Sequence, residues 1–181
     1  MTQEAVIAAT RRWIERAVIG LNLCPFARGA LPRLRLAVSA ATTTEALLAD
    51  LVWELQYLAA ADPRQLETTL LIHPYVLRDF LEFNDFLDVG DAAVRRLGLE
   101  GVIQIASFHP QYRFAGTAAD DIENYTNRAP YPILHLLRED SVARALAAVR
   151  DPASIYRRNV EIMRRLGHAG WARLWIDGSV T

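Results

Sequence analysis

Apolar residues recur along the chain with two periods that alternate, and the alternation predicts the architecture. Residues 3–21 place Val6, Ile7, Trp13, Ile14, Ala17, Val18 and Leu21 at helical spacing, opposite Glu4, Arg11, Arg12, Glu15 and Arg16. Gly20, Asn22 and Pro25 stop that helix, so Asn22-Leu23-Cys24-Pro25-Phe26 reads as a turn leaving it. Residues 34–38 (LRLAV) alternate as a short strand. Thr42-Thr43-Thr44-Glu45 fits a capping box with Thr42 as N-cap, opening a helix that buries Leu47, Leu48, Leu51, Val52, Leu55 and Leu58 and stops at Asp62-Pro63. Residues 68–73 (TTLLIH) have the length and β-formers of a buried strand.

Helical spacing returns over residues 75–97, through Val76, Leu77, Phe80, Leu81, Leu87, Val94 and Leu97, with Gly90 as a possible break and Gly98 as the C′ residue. Strands follow at 102–108 (VIQIASF) and 132–137 (PILHLL), separated by a loop longer than ordinary connections. Glu139, Asp140 and Ser141 begin a helix with acids at its positive end, and Asp151-Pro152 reads as N-cap and N1 of a last helix that Gly167 ends. The tail WARLWIDGSVT is apolar at first and is left unplaced. The order predicts one α/β domain over residues 1–181, a layered fold with a small four-stranded, partly parallel sheet covered by helices. Right-handed crossovers make the first three strands parallel, while the fourth can run either way; an α+β two-layer sandwich is the alternative.

Composition narrows the chemistry. All 20 basic residues are Arg, so a Schiff-base lysine and a P-loop lysine are both excluded. Any anion site must use Arg forks or backbone amides. A net charge of -1 argues against nucleic acid as a partner. With Cys24 as the single cysteine no internal disulfide can form, which points to the cytoplasm, and neither a signal peptide nor a membrane-spanning stretch is expected.

Candidate chemistry concentrates in the long loop and at the strand ends. His73-Pro74 and His109-Pro110 each end a predicted strand, so parallel strands would put both imidazoles at the carboxyl edge, where open α/β sheets bind ligands. Two such histidines could hold a metal with an acid, His135 or Cys24, or could cap the strands locally. Cys24 is either a nucleophile, a Cys-Pro haem ligand, or a small buried hydrophobe. Phe108, Tyr112, Phe114, Tyr125 and Tyr131, with Arg113, Arg128, Arg138, Asn124 and Asn127, have the make-up of a small-molecule pocket, or of a packed structural loop whose arginines pair with Asp120, Asp121 and Glu123.

Four segments resemble a bacterial family catalogued as domain of unknown function 1415. They are WIERAVIGLNLCPFA (13–27), TTLLIHPYVLRDFLEFNDFLD (68–88), ASFHPQYRFAGT (106–117) and NYTNRAPYPILHLLRE (124–139). The resemblance implies a stand-alone bacterial protein of one domain and carries over no catalytic residue. The reading is an enzyme acting on a small anionic metabolite under the 109–131 loop. His109 would be general acid/base, Cys24 a nucleophile if the fold brings it near, and Tyr112, Arg113, Asn124, Asn127, Arg128, His135 and Arg138 the substrate-binding set. The cofactor and the oligomeric state stay open. A non-catalytic metal- or haem-binding protein and a protein–protein interaction module are the alternatives.

Overall fold

The structure, a computed structural model, describes residues 2–176; residues 177–181 of the unplaced tail lie outside the described residues. In chain order, α1 (Gln3–Trp13) continues through a π-helical stretch (Ile14–Ile19) into the Cys24 turn. Then come α2 (Ala27–Ala30), β1 (Leu34–Val38), α3 (Thr44–Ala60), β2 (Thr68–Ile72), α4 (Phe80–Arg96) and β3 (Ile103–Phe108). The long loop holds a 3-10 segment (Ile122–Asn127) and leads to β4 (Ile133–Arg138), α5 (Glu139–Ala147) and α6 (Ala153–Arg173).

The four strands form one mixed sheet in the order β1-β2-β4-β3. β1 and β2 are parallel, and β4 lies antiparallel between β2 and β3. The three strands expected to be parallel are therefore all co-directional, and the fourth is the reversed one. Period-2 alternation sends Leu71, Leu134 and Leu136 to one face, where Leu47, Leu51, Leu55 and Leu58 of α3 and Phe83, Phe86 and Val94 of α4 meet them. Leu70, Ile72 and Ile133 point to the other face, onto Val6, Trp13, Ile14 and Ala17 of the first helix. Trp171 and Trp175 join this second cluster from the end of α6 and beyond it.

Local signals decide where elements begin and end. Gly98 (φ 68) closes α4 in a Schellman arrangement, with Leu99 N–H donating to Val94 O and Gly98 N–H to Arg95 O, both at 3.0 Å. Gly90 does not break α4: a Cβ there would sit 3.2 Å from the Ile105 side chain, so the glycine lets helix and strand approach. The N-cap of α3 is Thr43, one residue later than expected, its hydroxyl accepting from Ala46 N–H at 3.3 Å. Helix α4 starts at Phe80, after an Asp79 N-cap, and not at residue 75. The apolar period of Val76 and Leu77 belongs to a buried loop in which Leu77 takes φ 54, a conformation no helix contains.

Candidate functional site

β2 and β3 end at the same edge of the sheet and deliver His73 and His109 there, both fully buried. Each imidazole is tied to the loop between β2 and α4. His73 Nδ1 donates to Val76 O at 3.1 Å, while its Nε2 has no partner. His109 accepts Gln111 N–H on Nδ1 at 3.0 Å, which makes Nε2 the protonated nitrogen, and Nε2–H donates to Leu77 O at 3.3 Å. The Phe83 ring lies against both, at 5.6 and 5.1 Å between centroids. Burial pushes the His73 imidazole down to about 4 and lowers that of His109 in the same way. At neutral pH both are neutral hydrogen-bonding braces.

The loop beyond His109 is braced from inside. Asn124 is fully buried; its Oδ1 accepts from Phe114 N–H at 3.0 Å and from the Thr117 hydroxyl at 2.8 Å, and its Nδ2 donates to Ala118 O at 2.8 Å. Asn127 knots the loop to β3, its Nδ2 donating to Ser107 O at 3.3 Å and its carbonyl accepting from His109 N–H at 3.2 Å. Arg128 lies over the Tyr125 ring at 4.0 Å and donates to Tyr112 O at 3.4 Å and to Ala119 O. Tyr112 packs on Phe80 at 5.3 Å, and burial raises the pKa of its phenol.

A cleft of about 320 Å³ opens on the α1 side of this edge. The loop contributes Pro110, Tyr125, Arg128, Ala129 and Pro130; α1 contributes Ala9, Arg12 and Trp13; the chain at and just after the end of α6 contributes Trp171 and Trp175. Trp171 meets Tyr125 and Trp175 edge-on, each at 5.3 Å. Two contacts hold this aromatic wall. His168 Nε2 lies 2.8 Å from Asp120 O, and Arg16 donates to Leu174 O at 2.8 Å. A turn at Gly167 (φ 62, ψ 175) inside α6 sends the wall across the cleft.

Of the residues expected to form the site, Arg128 reaches the cleft directly, and His109 adjoins it through Pro110. Arg113 is exposed on the loop. Arg138 ends β4 at the opposite sheet edge, where its guanidinium donates to Leu58 O at 2.7 Å, Ala61 O at 2.8 Å and Leu66 O at 3.2 Å. It caps the end of α3, so the three arginines do not converge. His135 sits within β4 and contacts the Thr68 hydroxyl at 2.8 Å; burial pushes its imidazole down to about 4. Thr68 gives its own proton to Leu136 O at 2.6 Å, so His135 must donate through Nε2. Cys24 is half-buried in a turn where Asn22 has φ 53, with Arg158 and Asn159 of α6 donating to Asn22 O and Leu23 O at 2.6 and 2.7 Å. It does not line the cleft.

A family model described as "Protein of unknown function (DUF1415)" matches residues 5–173. The chain belongs to that DUF1415 family. No curated protein and no solved structure matches it. The matched span of the DUF1415 model takes in α1, the loop and Trp171, so most of the cleft is built from family sequence. Among the described residues no three His, Cys, Asp or Glu side chains gather as metal ligands would, and no helix is long and apolar enough to cross a membrane. Ala9, Arg12 and Trp13 of α1 and Trp171 and Trp175 are the cleft residues missed by sequence reasoning. Arg12 looks like any charge on a polar helix face, and the two tryptophans follow a glycine that reads as a helix stop. The only signal for them was a second apolar run after Gly167.

Proposed function

We propose that this protein, in the cytoplasm, binds a small anion with a flat, apolar body in the cleft between α1, the loop and the end of α6. The observation that supports this reading best is the setting of Arg128. Its guanidinium sits over the Tyr125 ring and is pinned by two carbonyls, so its direction is fixed before any ligand arrives. Arg12 faces the same space from α1, and three tryptophans complete the walls. A carboxylate or phosphate would take the arginines, and a ring would take the aromatic faces. The volume suits a small metabolite. The proposal is one of binding: the described lining holds no His, Cys, Asp, Glu, Ser or Thr, and His109 has both ring nitrogens engaged by backbone.

Arg12 gives the cleanest test. It is exposed and makes no ion pair among the described residues, so its loss removes a ligand contact without leaving a partner unmet. Benzoate-type acids and inorganic phosphate are titrated while tryptophan fluorescence is followed, since Trp13, Trp171 and Trp175 report on the cleft. An aromatic carboxylate is expected to quench the emission and raise Tm. Arg12→Gln should weaken it by about tenfold or more, the worth of one charged hydrogen bond, with the Tm of the free protein unchanged. If no anion shifts either signal, or Arg12→Gln binds as well as wild type, the cleft is not an anion site.

A further inference from the structure

On the other face of the sheet, a groove of about 600 Å³ runs between the starts of α3 and α4. Its floor is apolar, from Leu48 of α3, Leu77 of the αL loop and Phe86 of α4, and its rim carries Glu45, Glu82 and Asp85. None of these three acids makes an ion pair among the described residues, although five such pairs form elsewhere. Along α4 the lining runs Glu82, Asp85, Phe86 and Val89, the i, i+3, i+4, i+7 set of a single face. Val89 is 41% exposed. Asp88 and Asp91 extend the negative charge along the same helix.

We infer that this groove docks a basic amphipathic helix of a partner protein. Charge complementarity decides the occupant. A purely apolar partner would leave the carboxylates facing low-dielectric surface, and a purely cationic one would leave exposed Val89 and half-buried Leu48 unused. A helix with one apolar stripe flanked by Lys or Arg meets both demands. Its length also fits: the α4 lining spans two turns, roughly 10 Å, which matches partner anchors at i, i+4 and i+7.

A synthetic Leu/Lys helix with its leucines in one stripe is the probe. It is compared by fluorescence anisotropy with an isomer whose leucines are scattered and with a Leu/Glu counterpart. The striped basic peptide should bind wild type, with added salt weakening it. The doubly charge-reversed E82K/D85K protein and the uncharged Val89→Gln protein should each bind it about tenfold more weakly with helical content preserved, because all three positions are exposed, although E82K/D85K melts slightly lower since a lysine in the first turn of α4 opposes the helix dipole. Several results would overturn the inference: no binding of the striped peptide, equal binding of the scattered isomer or the Leu/Glu peptide, or binding unchanged by both variants. Displacement of the peptide by spermidine at equal concentration would reassign the groove to a small polyamine. A dimer in sedimentation that E82K/D85K splits would reassign it to a second copy.

Discussion

At the scale of single residues, burial of histidine has a measurable cost. The ordinary imidazole value is 6.5, and in the folded chain both His73 and His135 are pushed down to about 4. Between those values the unfolded chain carries a proton on each ring and the folded chain does not. Stability is therefore complete above 6.5, rises with pH across the window and is lost as pH falls towards 4. At pH 5 each histidine should cost roughly 2 kcal/mol relative to pH 7.5, by the linkage relation. Urea melts at the two pH values test this. His73→Asn keeps a donor for Val76 O and cannot titrate, so its melts should differ by about one histidine's worth less than those of wild type; an equal pH dependence would mean that His73 is protonated in the native state. The same residues show how far sequence carried. His-Pro at the end of two strands placed both rings at the right edge, because strand direction fixes that. Their hydrogen-bond partners were not legible: Val76 O and Leu77 O belong to a loop whose αL leucine has no sequence signature. The capping role of Arg138, expected to bind substrate, was not legible for a related reason, since the carbonyls it caps lie 72 and more residues away along the chain.

At the scale of elements, α6 is two helical pieces meeting at Gly167. A Cβ there would meet nothing within 4 Å, so space does not demand glycine; φ 62 with ψ 175 does. That region is essentially reserved for glycine. Gly167→Ala should cost about 1–3 kcal/mol from backbone strain alone. If the chain relieves the strain by straightening, Trp171 and Trp175 leave Tyr125 and Trp13, and tryptophan emission shifts to the red. A variant with unchanged melting and unchanged emission would show that the bend is not enforced by glycine. Sequence marked this glycine as a helix stop but could not show that the chain resumes helical form beyond it. Strand positions were read to within a residue because short apolar runs rich in β-formers are bounded on either side by turn residues or helical spacing. The direction of β4 was not, because PILHLL is apolar on both faces and carries nothing that orders its ends.

At the scale of the molecule, the sheet separates two surfaces of different chemistry. One face carries the arginine and tryptophan cleft and the other the acid-rimmed groove. Leu77 touches both sides of this division: its side chain floors the groove, and its carbonyl holds His109, the residue before Pro110 of the cleft. Layers and helical cover were legible from alternation alone, whereas the pairing of faces with functions needed the register of each strand.

The place of β4 also governs how the chain must be made. β2 and β3 are synthesised early and have no contact as sheet neighbours; the strand that joins them comes after both. Until residues 133–138 emerge from the ribosome, a nascent chain holds a β1–β2 pair with a bare inner edge and a β3 with no strand to pair with, the exposure that invites pairing with other chains. A fragment of residues 1–128 should then lack a cooperative urea transition and should bind chaperones or aggregate, while the full chain melts in one step. A fragment that unfolded as sharply as the whole would mean that β1, β2 and β3 find another arrangement on their own. Order of synthesis thus makes completion of this protein a late event, closed by the insertion of a strand into the middle of the sheet.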